Sequence, residues 1–407
     1  MTKSIILVSL LIPACSTLAA PFKPASSTST QAHAVTQSHV IDNTISAPNG
    51  QTHIITKSGR YFLAGYLTYQ PQASNPNPPY SGLGSVQPII SVQANNVTID
   101  LSSFVIASDN STNTSQLCRA IDIGTSSTAV SNILITNGCI DTMSENGIVV
   151  NPNCTNITIS NMQINNCGDN AAGTRYSGIG VSTGTTNVTI NNVQINSCTA
   201  YGILFGSSCS NLYIDNLQID SCSLGGIYAD TANNLDIANT SITGSTGNSS
   251  NDAIGLYLSS SNFVSVLNCS FSQNISSAAN AQDANGVYLT DCNNCLFEDC
   301  YANQNGCGDV AASAYGFKLS SSTACYFKRC QGSVNGNFSS ANHALNAFGF
   351  YISGGTDNHF EQCQALTNAA DNAAGTAAGF YFSGTTNNEC KDCEARDSNA
   401  TGSAGTA

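Results

Sequence analysis

Nine short stretches of this chain repeat one pattern: NGIVV, SGIGV, YGILF, GGIYA, IGLYL, NGVYL, YGFKL, FGFYI and AGFYF. Their glycines are Gly147, Gly178, Gly202, Gly226, Gly255, Gly286, Gly316, Gly349 and Gly379, at steps of 31, 24, 24, 29, 31, 30, 33 and 30 residues. RAIDI at Ala120 and IISV at Ile89 are earlier, variant copies, which makes about eleven units. A unit this short cannot bury an apolar face alone, so successive units must stack.

The grammar inside a unit is clearest from Gly178 to Cys198, GIGVSTGTTNVTINNVQINSC. Ile179 and Val181 alternate with Gly180, Val188 and Ile190 with Thr189, and Val193 and Ile195 with Gln194. Period-2 alternation of this kind predicts three short strands per unit, with the variable length gathered after the third. The stretch IISVQANNVTIDLSSFVI, followed by repeats such as NITISNMQINNC, resembles the pectin-lyase-like superfamily over residues 41–407. The resemblance implies an all-β fold, a right-handed parallel β-helix (solenoid) of about eleven coils with an N-terminal cap. It leaves activity open, because that architecture hosts lyases, hydrolases, epimerases, adhesins and phage spikes.

The N-terminus, MTKSIILVSLLIPACSTLAAPF, has one lysine, an apolar run and small residues around Ala19. It reads as an export signal over residues 1–19, too short to span a bilayer as a stable helix. The alternative is a lipoprotein signal with Cys15 lipidated. Residues 20–40 read as a flexible linker, 41–87 as cap strands and a loop, and 88–407 as the β-helix. No later apolar stretch reaches transmembrane length, so a secreted or cell-surface location is expected. Only 9% of residues are charged and the net charge is -13. No basic stripe is present to hold phosphates, which argues against nucleic acid.

Stacking turns sequence positions into columns about 4.8 Å apart. The corner between the second and third strands reads Asn137, Asn161, Asn192, Asn216, Asn239 and Asn268, then Asp299, Arg329, Gln362 and Asp392. Asparagine tolerates the left-handed backbone of a sharp corner, and its amide can bond to the next along the stack. One residue earlier, Glu298, Lys328, Glu361 and Lys391 alternate in sign, and each lysine is expected between two carboxylates. One residue later, Met162, Val193, Leu217 and Thr240 give way to Cys269, Cys300, Cys330, Cys363 and Cys393, which are expected to point inward. A second column joins Cys167, Cys198 and Cys222. Parallel side chains about 4.8 Å apart are too far for a relaxed disulfide, so buried thiols are expected. The zinc-like spacings at Cys292 to Cys295 and Cys390 to Cys393 fall on inward strand positions, so no metal is assigned to them.

The outward residue of the first strand, two after each glycine, reads Val149, Gly180, Leu204, Tyr228, Tyr257, Tyr288, Lys318, Tyr351 and Tyr381. In the superfamily that this chain resembles, extended polysaccharides lie along this strand. Phenol rings offer flat faces to sugar C–H surfaces and hydroxyls to their edges. The loops at 245–252, 272–285, 303–314, 333–347 and 367–377 are expected to wall the groove. The ligand-binding set is therefore Tyr228, Tyr257, Tyr288, Lys318, Tyr351 and Tyr381, with an extended polysaccharide as partner.

Catalysis would require acids and bases converging on that groove, and the chain has no DD pair and no Gly-His-Gly there. The available set is Asp252 and Asp283, each three residues before its glycine, with Lys318 one coil on. Two carboxylates there could share a proton or hold calcium, and the lysine could act as a base or neutralise a uronate. The bland alternative is that both aspartates cap the end of a loop. Arg175 and His343 have no evident partner. No cofactor is expected, apart from calcium if the protein is a lyase. The sequence thus favours a non-catalytic glycan-binding β-helix; the alternatives are a polysaccharide lyase, hydrolase or epimerase, and an adhesin or envelope scaffold. After the eleventh unit the sequence shows no recognisable cap, so self-association or a partner at the last coil is expected.

Overall fold

A computed structural model describes residues 38–41, 52–69, 86–108, 117–168, 176–247, 251–276, 282–307, 312–336, 344–370 and 375–400. The export segment, almost all of the linker, the Pro/Asn-rich loop, Arg175 and His343 lie outside these residues. Among the described residues no helix is long and apolar enough to cross a membrane.

All paired strands are parallel. One 12-stranded sheet runs from His53–Ile55 to Thr376–Ser383 and holds the glycine pentads. A 17-stranded sheet holds the second and third strands of the coils. This is the parallel β-helix that the repeats predict. Parallel pairing also extends into the segment read as a cap, since Ile54 pairs with Ser91 and Tyr61 with Ile99. In the early coils the second and third strands run on as single strands, such as Thr155–Asn165 and Thr186–Asn196. The chain turns within them at the corner asparagines, all of which have φ between 48° and 61°.

The recurrent glycine is required by close packing. A Cβ on Gly202 would stand 2.7 Å from the Ile219 side chain of the third strand, and one on Gly226 2.2 Å from Ile242. Real Cβ contacts are never that short, so each glycine lets the third strand close against the first. The position therefore serves as a packing notch, with no left-handed backbone in any of the nine pentads.

Inward columns fill the core. Phe317, Phe350 and Phe380 stack on the first strand with centroids 4.9 and 4.7 Å apart, and Phe297, Phe327 and Phe360 stack on the second at 4.9 and 5.1 Å. The two columns meet edge to face, at 5.6 Å between Phe317 and Phe327. Ring stacking thus repeats at the strand spacing itself. All 17 cysteines of the described residues are free thiols. Cys269, Cys300, Cys330 and Cys363 are buried in the expected column, as are Cys167, Cys198 and Cys222. At the last coil Cys393 packs against the core but is only half-buried, and Cys390, in register with the buried Phe360, is exposed. Phe382 there is 39% exposed, whereas its equivalent one coil earlier, Ile352, is fully buried. No described strand covers that end.

The corner ladder forms with one exchange of partner. Asn161, Asn192 and Asn216 each donate from Nδ2 to the preceding asparagine at 2.7–3.2 Å, but Asn239 donates to Asp215 at 2.8 Å. A parallel ladder that the sequence reading missed joins Asn132, Asn156, Asn187, Asn211 and Asn234 at 3.0–3.1 Å. Of the charged corner, Lys328 pairs with Glu298 at 3.0 Å and Lys391 with Glu361 at 3.1 Å. Arg329 joins Glu298 and Asp299 at 2.7 Å, and Glu361 accepts from the Tyr326 hydroxyl. The ladder therefore differs from strict alternation, because an arginine and a phenol compete for the carboxylates.

A further amide row lies inside the coil. Asn274, Asn305, Asn335 and Asn368 are fully buried or nearly so; the first three each donate from Nδ2 to the Oδ1 of the next at 2.9–3.1 Å, and Asn368 donates to the Gly332 carbonyl at 3.2 Å. Each receiving Oδ1 also accepts the backbone N–H of the preceding asparagine at 3.1 Å. Buried amides are tolerated because they are so paired.

Candidate functional site

The strand register places the predicted stripe in one column. Val149 pairs with Gly180, Gly180 with Leu204, and Leu204 with Tyr228. The column continues through Tyr257, Tyr288, Lys318, Tyr351 and Tyr381. Parallel strands bring neighbouring rings into contact: centroids are 4.9 Å apart for Tyr228 and Tyr257, 5.2 Å for Tyr257 and Tyr288, and 5.3 Å for Tyr351 and Tyr381. Tyr228 to Tyr351 are half-buried and Tyr381 is exposed. Burial, with Tyr228 and Tyr288 beside it, pushes the Tyr257 phenol up to about 12. The Tyr257 phenol is therefore neutral at physiological pH.

Two rows flank it that the sequence reading did not single out. Tyr201, Tyr315 and Phe348, one residue before their glycines, are nearly buried and pack on the stripe. Tyr201 lies 5.1 Å from Tyr228, and Tyr315 and Phe348 lie 5.2 and 5.0 Å from Tyr351. On the other side, Asp230, Ser259, Thr290, Ser320, Ser353 and Ser383 stand in register, a row of small oxygen-bearing groups. Period 2 alone locates this row, two positions beyond the tyrosines.

Asp252, Asp283 and Lys318 do come together. Lys318 Nζ lies 2.8 Å from Asp283 Oδ2, and 4.7 and 4.4 Å from the ring centroids of Tyr288 and Tyr315. Asp283 Oδ1 accepts the Ser313 N–H at 3.0 Å; Asp252 accepts the Asp283 N–H at 3.0 Å and the Asn285 amide at 3.3 Å. All four carboxylate oxygens are thus engaged, three of them by amide N–H groups of the next coil or the adjacent strand. Burial raises the Asp252 pKa, Asp283 adds to it, and Lys318 opposes both. Burial works against the Lys318 ammonium, but Asp283 and Tyr315 outweigh it and hold its pKa above the usual lysine value. A lysine so held is a poor base. Among the described residues no group of three or more His, Cys, Asp or Glu side chains could hold a metal ion. The loops expected to wall the groove are described only in part.

A second charged cluster occupies the same face. Asp122 pairs with Val149 and so belongs to the stripe column itself, an aspartate that the sequence reading did not single out. It escaped notice because Ala120 stands where later units carry glycine. Arg119 Nη1 lies 3.4 Å from Asp122 Oδ2, and its Nε donates to Glu145. Asp122 Oδ1 is buried without a hydrogen-bond partner. Burial raises its pKa to about 6, Arg119 pulls it down, and Glu145 pushes it up. A carboxyl with a raised folded-state pKa stabilises the fold fully below the ordinary Asp range and loses that contribution as pH rises through about 6. Thermal melts from about pH 4 to 7 should therefore show wild type losing stability relative to Asp122→Asn across that window. Superimposable profiles would sink the assignment.

Open depressions of about 390 and 620 Å³ lie on the opposite side, at the asparagine corner, bordered by Gln163, Gln194 and Gln218 in one case and by Asp100 and Cys139 in the other. Their amides already bond along the stack, Gln163 to Gln194 at 3.4 Å and Gln194 to Gln218 at 3.3 Å.

The family described as "Right handed beta helix region" matches residues 176–338. No curated protein matches the sequence. Among solved structures, the chain is similar to the periplasmic alginate epimerase AlgG, with 12% identity, 82% of this chain and 84% of that one covered, and a TM-score of 0.46. It is similar to PfbA, a surface adhesin of Streptococcus pneumoniae, with 9% identity, 83% and 82% covered, and a TM-score of 0.45. It is also similar to ORF18 of Geobacillus virus E2, with 10% identity and a TM-score of 0.38 over 88% of this chain; it spans 52% of that viral protein.

Proposed function

We propose that this right-handed parallel β-helix protein binds an extended polysaccharide along the tyrosine column without cleaving it. The observation that carries the reading is the run of phenol rings in contact at coil spacing, stacked at Tyr228–Tyr257 and Tyr351–Tyr381 and edge-on at Tyr257–Tyr288, beside a row of hydroxyls. Such a surface supplies stacking planes and polar edges in the order that a sugar chain presents its own. The engaged carboxylates and the protonated lysine favour binding over catalysis. An exported or surface location fits this role, and calcium has no part in it.

A glycan array tests the reading with Tyr257→Ala and Tyr288→Ala beside wild type. Each substitution should weaken binding about tenfold, the order expected for one lost stacking platform. Absence of any bound glycan, or binding indifferent to both changes, would overturn the proposal.

A further inference from the structure

We propose that Cys390 and Cys393 form a redox-active dithiol, which closes into a disulfide by exchange with a small-molecule disulfide such as oxidised glutathione.

Geometry separates this pair from the stacked thiols. Cysteines of one column stand a strand spacing of about 4.8 Å apart with parallel side chains, too far for a relaxed disulfide. Cys390 and Cys393 belong instead to a single coil and flank its corner. Asp392 turns the chain there, with a φ of 53°, between the strands Glu389–Lys391 and Glu394–Arg396. Cys390 stacks on Phe360, and Cys393 Sγ donates at 3.2 Å to the carbonyl oxygen of that same Phe360, so the two thiols converge from the two arms of the corner. They are hydrogen-bonded to each other. Hydrogen bonds from Cys363 and Cys390 hold Cys393 below the usual thiol range, which favours its thiolate.

Access distinguishes the pair further. Among the described residues Cys390 is the one exposed cysteine, and Cys393 beside it is half-buried. Cys292 and Cys295 repeat the spacing around another left-handed residue, Asn294 with a φ of 54°, and are also hydrogen-bonded to each other. Both of them are buried, so a reagent reaches them only through local opening. The chain thus carries an accessible dithiol and a sealed copy of it.

The exchange runs in two steps. The Cys390 thiolate attacks one sulfur of oxidised glutathione and displaces a glutathione thiolate. The Cys393 thiolate then attacks the Cys390 sulfur of the mixed disulfide and displaces the second glutathione. The pair gives up two protons and two electrons, and the glutathione disulfide becomes two thiols.

The test treats the whole folded protein, reduced beforehand, with oxidised glutathione and maps its thiols by peptide mass spectrometry. Cys390 and Cys393 should be recovered joined to each other, with Cys292 and Cys295 still free. In the reduced protein, iodoacetamide should alkylate Cys390 at least about tenfold faster than Cys292 or Cys295. Cys393→Ser should stop at the mixed disulfide of Cys390 with glutathione. Free thiols at both Cys390 and Cys393, glutathione still attached to Cys390 in the wild type, or equal oxidation of the two pairs would overturn the proposal.

Discussion

Asn305→Leu is expected to lower the free energy of unfolding by about 2–6 kcal/mol, the sum for two orphaned buried donors at about 1–3 kcal/mol each. Asn305 Oδ1 accepts both the backbone N–H and the side-chain Nδ2 of Asn274, at 3.1 and 2.9 Å. A leucine fills the space and accepts neither. The Phe271 carbonyl and the Asn335 Oδ1 also lose the Asn305 Nδ2 that reaches them at 3.4 and 3.1 Å. The external ladder supplies the control. Asn161 bonds to Asn137 at 3.2 Å in an exposed setting, so Asn161→Ala should cost about 1 kcal/mol or less. Urea unfolding of the two variants decides the matter: equal midpoints would mean that the interior row carries no special weight.

The second large effect is expected at Phe327. Its ring stacks on Phe297 at 4.9 Å and Phe360 at 5.1 Å and meets Phe317 edge-on at 5.6 Å, with no exposure to solvent. Phe327→Ala removes one phenyl from the middle of both stacking and edge contacts, and should cost about 3–5 kcal/mol. Coils touch only their neighbours, so the loss should also be local. Hydrogen exchange should accelerate in the strands of residues 296–298 and 359–361 and leave Thr155–Asn165 protected. Uniform acceleration through the whole stack would contradict a nearest-neighbour solenoid.

The columns were legible wherever a glycine marked the count. From Gly226 onward the stripe residue is two positions on, and the register confirms it at Tyr228, Tyr257, Tyr288, Lys318, Tyr351 and Tyr381. Period 2 and stacking fix such positions without any tertiary knowledge. Tyr201, Tyr315 and Phe348 were not legible, because they precede the glycine notch, where two successive residues face inward and simple alternation breaks. Asp122 was hidden by the replacement of glycine with Ala120. The interior asparagines were missed for a different reason: polar residues are ordinarily assigned to the outside, and only the strand register shows four of them meeting in the core. The pairing of Lys318 with Asp283 was foreseeable as proximity. Of its two ring contacts, the one with Tyr315 was not, because alternation had not placed that residue.

The interior amide row also has a direction. Each receiving Oδ1 is pinned by a backbone N–H from the coil before it, so the side-chain bonds between asparagines all run from Nδ2 towards the C-terminal end. The external corner ladder runs the opposite way, each Nδ2 donating towards the N-terminus. Two antiparallel strings of amide dipoles therefore run the length of the later and earlier coils, and each string polarises its own members. A coil inserted into the interior string in the native sense would lengthen it and strengthen its neighbours. One entering in the reverse sense would set acceptor against acceptor. The polarity of the amides thus acts as a check on strand direction, independent of hydrophobic packing, which is blind to it.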